Sequence, residues 1–388
     1  MSAFRLHAAP IDRCPVDLTV LLSASILLLV GLVMVTSASS EVAARTYGHP
    51  LFLAGKHSAF MVLGLLVLVG TLTIPIRVWQ RLGIVFYGVS LLLLILVLIP
   101  GLGKTVNGAT RWIPLGFFTL QGSEFVKLFS IVFLASYLAS PTVRYREQLR
   151  AYLLPLALIG VLVALLLVQP DFGACVVIMS ATLGMLFFAG TPMRYFAPTV
   201  MAGGVLVGLL ILIQPYRLAR LVSFTDPWAH QFEGGYQLTQ ALIAIGRGEW
   251  FGLGLGNSVQ KLFFLPEAHT DFLFSIMVEE LGILGACLVL LGFTLLVVQG
   301  LMISKRCAQA GFSFHAHLAA GISLLIGVQA LINLGVNLGL LPTKGLTLPL
   351  MSFGGNSLLV SLLLVGLLLR LDWERRNAPA APKKGKGV

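Results

Sequence analysis

Charged side chains are scarce in this sequence. Asp, Glu, Lys and Arg make up 11% of its 388 residues, whereas an ordinary soluble domain carries about 25%. The few charges are grouped between long apolar runs, and the mean hydropathy is +0.95. A single soluble core cannot bury so many long runs, but a bilayer solvates them. The composition therefore excludes an ordinary soluble protein and predicts one that crosses a membrane many times.

The sequence also lacks the patterns of several common sites. Its four cysteines form no CxxC pair, so we expect neither a disulfide nor a metal site; they are Cys14, Cys175, Cys287 and Cys307. No HExxH, P-loop or dinucleotide fingerprint is present. The first residues have no short apolar region with a small-residue cleavage site. We therefore expect the first apolar run to stay in the mature protein as a membrane span.

Acidic residues are outnumbered by basic ones, 15 to 26, which leaves a net charge of +11. In a soluble protein this excess would favour nucleic acid as a partner, but no zinc-finger spacing or RNP-like segment supports that. In a membrane protein, Lys and Arg accumulate in the cytoplasmic loops. We therefore expect no nucleic-acid partner and use the positive charges to orient the chain.

Ten apolar runs have about the 17–25 residues that cross a bilayer as helices. The fold class is therefore predicted to be all-α, a polytopic membrane protein of about ten transmembrane helices with a long extracytoplasmic loop, 215–270, between spans 7 and 8. The spans are expected at Leu18–Thr36, Ser58–Ile76, Leu82–Ile99, Ser123–Leu138, Tyr152–Val168, Phe172–Phe188, Tyr195–Ile213, Phe272–Val298, Leu318–Leu338 and Leu358–Leu371.

The short loops set the predicted orientation. If the amino terminus is cytoplasmic, most Lys and Arg residues fall in inner segments, so both termini are predicted to be cytoplasmic. Residues 1–17 are expected to form a short cytoplasmic segment, 18–371 the membrane domain, and 372–388 a disordered basic tail. Only Gln169, Pro170 and Asp171 separate the fifth and sixth spans, and a miscount there would invert everything that follows.

The densest polar cluster is KLFFLPEAHTD at 261–271, directly before the eighth span. Thr270 or Asp271 has the character of a helix cap, which is one interpretation. The other follows from Glu279, which lies eight residues beyond Asp271 and on the same helical face, about 12 Å along the axis. Carboxylates at such a depth usually face a cavity or a partner. The pattern therefore also predicts a polar groove that descends from the loop.

A second cluster, QGSEFVK at 121–127, places Glu124 and Lys127 three residues apart on one helical face. The two either pair with each other or serve a site, and the sequence leaves both open. Arg111 lies nearby in the same outer segment, and arginine is well suited to clamp phosphate groups. Further outer cations add positive charge that, taken together, would hold a pyrophosphate: Arg217, Arg220, Arg247 and Lys344.

Five segments together resemble the SEDS family, along most of the chain. They are GATRWI at 108–113, QGSEFVK at 121–127, QPDFG at 169–173, GNSVQKLFFLPEAHTDFLFSIMVEELG at 256–282 and LPTKGLTLPLMSFGGNS at 341–357. The sequences GNSVQKL and PTKGLTLPL within these segments are more similar to the division-type branch than to the elongation-type branch. Two positions depart from the family's usual pattern: Gly122 replaces a proline and Phe353 replaces a tyrosine.

The resemblance implies glycosyl transfer on the outer face of a bacterial inner membrane, at the division septum. The donor would be a glycan on undecaprenyl pyrophosphate, and the acceptor the 4-hydroxyl of a lipid II sugar. The HTD motif implies that Asp271 is catalytic. Together with the clusters above, it predicts a substrate-binding set of Arg111, Glu124, Lys127, Arg217, Arg247, Lys261, Glu267, His269, Thr270, Glu279, Lys344, Ser352 and Ser357. The sequence identifies no cofactor, and a divalent cation at the pyrophosphate stays open.

The same resemblance implies partners, and it leaves more than one function open. A class B penicillin-binding protein, other divisome membrane proteins and lipid II are the expected partners. Our hypothesis is that Asp271 acts as a general base. The alternatives are a lipid II flippase, an elongation-type polymerase or a non-catalytic scaffold. A flippase needs polar groups along the whole path across the membrane. The polar residues here gather in the outer half, which favours an enzyme.

Overall fold

The structure is a computed structural model that describes residues 16–106, 109–114, 116, 118–343 and 345–378, apart from the side chains of 106, 109, 216 and 217. The first part of the chain forms α1 (Leu18–Tyr47), α2 (Phe52–Thr73), α3 (Ile76–Arg81), α4 (Gly83–Leu98), β1 (Lys104–Val106), β2 (Ala109–Pro114), β3 (Thr119–Gln121), α5 (Gly122–Leu138) and α6 (Leu149–Val168). The rest forms α7 (Phe172–Phe188), α8 (Met193–Ile213), α9 (Pro215–Thr225), α10 (Tyr236–Gly248), α11 (Leu273–Gln309), α12 (Ser313–Asn337) and α13 (Gly355–Asn377).

All ten predicted spans coincide with a helix of the structure. Seven helices are long and apolar enough to cross a bilayer: α1, α2, α6, α8, α11, α12 and α13. The other three, α4, α5 and α7, have 16 or 17 residues each. The prediction of an all-α polytopic fold is confirmed, with one addition. The outer segment 104–121 contains a small antiparallel sheet in the order β1-β2-β3.

Helices α5, α12 and α13 form the centre of the bundle. Most of their side chains are buried, and α12 packs against α5, α7 and α11 while α13 packs against α2. Helix α8 lies at the periphery and has no buried residue. In a soluble protein its exposed leucines and valines would form an unstable surface, but a span that faces lipid requires no burial.

The last helix is longer than predicted, because α13 continues to Asn377. Residues 372–377 therefore belong to the helix and not to the tail predicted to begin at 372, whereas 379–388 lie outside the described residues. Ion pairs fix this final turn. Asp372 pairs with Arg375 and Arg376, and Arg376 also pairs with Asp17 at 3.3 Å. Asp17 in turn caps α1, accepting from the amides of Thr19 and Val20.

The long loop between α8 and α11 is structured. It contains α9 and α10, and α10 packs against α11 and α12. The backbone after α10 fills a break in α11 at Gly282, whose φ of 69° and ψ of −168° are not helical. The amides of Leu253 and Gly254 donate to the carbonyls of Glu279 and Glu280, at 2.9 and 3.0 Å. The loop therefore satisfies the backbone groups that the break leaves without helical partners.

Candidate active site

A cavity of about 480 Å³ opens at the end of the bundle that carries the small sheet and the long loop. Its walls come from β2 and β3, the turn before α11, and the segment that precedes α13. Six of the predicted site residues line it: Arg111, Glu124, Glu267, Thr270, Asp271 and Ser357. Segments more than 200 residues apart in sequence thus meet around one volume, although the sequence only suggested that they belong together.

Asp271 lies at the cavity wall, and its carboxylate makes no capping hydrogen bond to the helix that follows. Helix α11 starts at Leu273, and its N-cap residue, Phe272, makes no side-chain capping bond. The Thr270 hydroxyl donates to Glu267 Oε2 at 2.7 Å instead. The interpretation of Thr270 or Asp271 as a helix cap is therefore wrong. Among the described residues, neither carboxylate oxygen of Asp271 accepts a hydrogen bond.

The surroundings of Asp271 raise its pKa from 3.8 to about 7. Burial contributes most, because it penalises the charged form. The neighbouring Glu267 carboxylate raises the pKa further, while Arg111 and Arg220 act in the opposite direction. A carboxyl whose pKa lies near 7 exchanges its proton readily at neutral pH, which is the property that a general base requires.

Arg111 is held at the cavity by the turn between α6 and α7. Its Nε donates to Gln169 O at 3.3 Å, its Nη2 donates to Pro170 O, and its Nη1 lies 3.9 Å from Asp171 Oδ1. Gln169 is itself anchored, since its side-chain amide donates to Leu94 O at 2.8 Å. The QPD segment therefore orients a cation of the site, a role that its sequence did not indicate.

Two further cations line the cavity, Lys56 of α2 and Arg220 of α9. Arg220 was recognised as an outer cation, and its Nη1 donates to Thr343 O at 3.2 Å. Lys56 was missed, because a single lysine near the start of a span is usually an interfacial residue. With Arg111, these side chains place three cations around the cavity, beside the carboxylates of Glu124, Glu267 and Asp271.

Glu124 and Lys127 form the pair that their spacing suggested. Lys127 Nζ lies 2.9 Å from both carboxylate oxygens of Glu124, and both residues are buried. Only Glu124 reaches the cavity. Lys127 lies behind it and also donates to Gln329 Oε1 at 2.6 Å, so the lysine neutralises and positions the carboxylate of Glu124.

Within the part of the chain that the structure describes, no polar groove runs along α11 as predicted. Glu279 and Glu280 are fully buried and bind the loop before α11. Glu279 accepts from the hydroxyl of Ser258 and the amides of Val259 and Gln260, at 2.5, 3.2 and 3.3 Å. The expectation failed because α11 begins after Asp271, so the helical spacing from Asp271 to Glu279 does not apply.

Three residues predicted to bind substrate belong to this loop anchor and lie outside the cavity: Glu279, Lys261 and Arg247. Lys261 Nζ lies 2.8 Å from Glu280 Oε1, with both side chains buried. Arg247 Nε lies 3.8 Å from Glu279 Oε1. All three side chains therefore help to hold the loop against α11.

The remaining predicted residues differ in position. The His269 ring packs against Phe353 at 5.5 Å and stays outside the cavity, and burial lowers its pKa against the opposing effect of Glu267. Ser352 is buried and accepts from the amide of Leu348 at 2.9 Å, so it stabilises a turn. The side chain of Arg217 and the whole of Lys344 lie outside the described residues.

The donors available for a metal ion are few. The residues that the structure describes contain no group of three or more His, Cys, Asp or Glu side chains arranged to hold one. The carboxylates of Glu124, Glu267 and Asp271 line the cavity without forming such a group.

The sequence match decides the family. A family model described as Cell cycle protein, covering FtsW, RodA and SpoVE, matches residues 17–377. The chain belongs to this family. The match spans all ten membrane helices, so it covers the fold and the cavity together and confirms the resemblance to SEDS proteins.

Individual relatives place the chain in the division-type branch. A protein of Alcanivorax borkumensis named probable peptidoglycan glycosyltransferase FtsW is 50% identical over 373 residues, covering 95% of this chain and 96% of the relative. Another of that name from Marinobacter nauticus is 49% identical over 375 residues, covering 95% and 93%. Both alignments run nearly end to end.

Solved structures show the same architecture. A chain of a peptidoglycan synthase complex that coordinates polymerization and crosslinking aligns with a TM-score of 0.76 at 29% identity, over 94% of this chain and 99% of that one. The rod shape determining protein RodA of Thermus thermophilus aligns with a TM-score of 0.66 at 29% identity, over 94% and 98%. The membrane fold is therefore shared by both branches of the family.

Proposed function

We propose that this protein polymerises lipid II into glycan strands, with Asp271 as the general base. Its family and its FtsW relatives make it a peptidoglycan glycosyltransferase of the division-type branch. The roles of single residues and the identity of the substrate are our proposal. The observation that carries the proposal is that the carboxylate of Asp271 does not cap α11 and lies in one cavity with Arg111 and Arg220.

The chemistry follows from this arrangement. Asp271 takes the proton from the 4-hydroxyl of the acceptor sugar, and the freed oxygen bonds to the anomeric carbon of the donor. The bond between that carbon and the phosphate oxygen breaks, and undecaprenyl pyrophosphate leaves with the electron pair. Attack from the opposite face inverts the anomeric centre. Arg111, Arg220 and Lys56 stabilise the charge that develops on the leaving group.

The orientation and the partners belong to the same proposal. The cavity opens toward the cell exterior, and both termini lie in the cytoplasm, as the distribution of Lys and Arg supports. The relative within a peptidoglycan synthase complex supports a crosslinking partner, which we propose to be a class B penicillin-binding protein. Other divisome membrane proteins would assemble with this pair at the septum.

Reconstitution separates the enzyme from its alternatives. The purified full-length protein is placed in liposomes with labelled lipid II, alone and with its cognate transpeptidase. Long glycan strands support the polymerase. Movement of lipid II across the bilayer without polymer would establish the flippase instead, and neither activity in the presence of the partner would favour a scaffold.

We expect turnover to rise with pH around neutrality. The base must be ionised to accept a proton, and the pKa of Asp271 is about 7, so its active fraction increases through that value. Because Arg111 lowers this pKa, Arg111→Gln should move the acid limb to higher pH. The measurement is the initial rate of polymerisation from about pH 5.5 to about pH 8.5. A rate that stays flat across this range would argue against Asp271 as the base.

Gly345→Ala should obstruct Asp271 without unfolding the protein. A Cβ atom at Gly345 would lie 3.2 Å from Asp271 Oδ2, where it occupies space that an approaching hydroxyl needs. We expect polymerisation to fall by about 10-fold or more, since small misplacements at a reacting centre are costly. Gly246→Ala is the matched control, because a Cβ there meets no atom within 4 Å. Equal rates in the two variants would contradict the prediction.

A further inference from the structure

Three buried side-chain amides form a row along α12, behind the cavity wall and outside the cavity itself. Gln329, Asn333 and Asn337 follow one another at intervals of four residues, so they lie on one face of the helix. They are at most 3% exposed, although α12 crosses the membrane. Polar side chains in such a position are costly unless they are paired. Each amide is paired, and most of the partners lie outside α12.

Asn333 and Asn337 hold the backbone of Asp271. Asn333 Nδ2 donates to Asp271 O at 2.9 Å, and Asn337 Nδ2 donates to the same oxygen at 3.0 Å. Asn337 Oδ1 accepts from the amide and the hydroxyl of Ser275, at 3.1 and 2.7 Å. The residue that carries the proposed base is therefore fixed at its carbonyl by two side chains that do not reach the cavity.

The same row holds the segment that faces Asp271. Asn333 Nδ2 also donates to Leu346 O at 2.6 Å, and Gln329 Nε2 donates to Thr347 O at 2.9 Å. Gln329 Oε1 accepts from Lys127, the partner of Glu124. The amide row thus links three parts of the cavity wall: the turn of Asp271, the segment 345–347 and the Glu124–Lys127 pair.

We propose that this amide row, and Asn333 above all, positions Asp271 for catalysis without touching the substrate. Asn333 is the one member whose amide joins Asp271 O to Leu346 O directly, so it sets the distance between the base and the opposite wall. A general base works only within hydrogen-bond reach of its proton, and a displacement of about 1 Å lowers a rate by about 100-fold. This inference rests on the proposed role of Asp271.

A purely structural role predicts a different result. If the amides only stabilise the bundle, their loss lowers the melting temperature and the yield, but each folded molecule keeps its kcat and its pH profile. If Asn333 positions Asp271, its loss lowers kcat while KM changes little. The acid limb of the profile should also shift, because the position of Asp271 relative to Glu267, Arg111 and Arg220 governs its ionisation.

The test compares the full-length protein with Asn333→Ala and Asn333→Ser in liposomes containing labelled lipid II. Serine keeps a donor but is too short to bridge both carbonyls, so it supplies a milder second variant. Gln299→Ala is the matched control, since it removes an amide that binds Asp17 at the opposite end of the bundle. We expect kcat to fall about 10- to 100-fold in the Asn333 variants, with a shifted acid limb, and to stay parental in the control.

The outcomes separate this inference from the proposed function. Parental kcat and pH profile in both Asn333 variants would overturn the inference, and so would an equal loss in Gln299→Ala. Asp271→Asn is measured in parallel. If that variant keeps the parental rate, the assignment of the base fails, and the inference fails with it. If it is inactive while the Asn333 variants are normal, only the positioning role is lost.

Discussion

Asp271→Asn should reduce glycan polymerisation by about 100- to 10,000-fold, the contribution typical of a general base. Asparagine keeps the size of the side chain and its place at the cavity wall but cannot accept the proton. Binding of lipid II should persist, because the cations Arg111, Arg220 and Lys56 are unchanged. The measurement is single-turnover polymerisation with labelled lipid II, beside a binding assay with the same material.

The same substitution should stabilise the protein at neutral and alkaline pH. The folded state raises the pKa of Asp271 from 3.8 to about 7, so between those values it binds more protons than the unfolded state. The free energy of unfolding therefore falls as pH rises through that window. Asp271→Asn removes this dependence and should melt above the parental protein at about pH 8.

A matched carboxylate controls for both effects. Asp226 belongs to the same long loop and is exposed, and its Oδ1 accepts from the amide of Ala229 at 3.0 Å. Asp226→Asn should leave polymerisation unchanged and should not reproduce the higher melting temperature of Asp271→Asn at about pH 8. If Asp271→Asn behaves like this control in both assays, the carboxylate at 271 is neither the base nor a strained buried group.

Lys261→Met should destabilise the protein by about 3–5 kcal/mol, as expected when one partner of a buried ion pair is removed. Lys261 Nζ lies 2.8 Å from Glu280 Oε1, and it also donates to Ser37 Oγ and Gly256 O at 2.9 and 2.7 Å. Without the lysine, the charge of Glu280 stays buried and uncompensated. Thermal unfolding and proteolysis of loop 249–261 report the loss.

A double variant identifies the cause. Lys261→Met with Glu280→Gln removes both charges and should recover most of the stability, since the buried charge is gone. Arg144→Met is the control for losing an ion pair in general. Its partner Glu147 is 3.7 Å away and both side chains are mostly exposed, so its effect should be within about 1 kcal/mol. If Lys261→Met instead melts normally and binds less lipid II, the residue is a substrate ligand, as its sequence context predicted.

The helices were predictable because membrane insertion depends on local composition. Seven of the helices are long and apolar enough by themselves to cross a bilayer, and the other three are apolar runs of 16 or 17 residues, so all ten were located before the packing was known. The strands β1, β2 and β3 were missed for the complementary reason. Two of them have three residues each, and segments so short acquire their conformation from their neighbours in space and not from their own sequence pattern.

The site was predictable in its members more than in their roles. Asp271, Glu267 and Arg111 were selected correctly as residues of one cavity, but Lys261 and Glu279 were grouped with them by proximity in sequence. Whether a buried lysine faces a ligand or a glutamate depends on the path of the chain. That path turns at Glu267, where φ is 57°, a conformation that helical spacing rules do not anticipate.

The amides of α12 are recognisable in the sequence, although they were not predicted as part of the site. Gln329, Asn333 and Asn337 are polar side chains at helical spacing within an apolar span, which in a membrane protein indicates a function by default. The carboxylates of α11 received that interpretation instead, because charge is the more conspicuous departure from an apolar background.

The contact between Asp17 and Arg376 joins the first turn of α1 to the last turn of α13, and it constrains how the chain threads the membrane. A polypeptide whose two ends meet at one face has crossed the membrane an even number of times. A missed or extra crossing at the short turn 169–171 would therefore be incompatible with the ion pair between Asp17 and Arg376. Reporters fused to either end should therefore give the same compartment signal, and a reporter inserted in the long loop should give the opposite one.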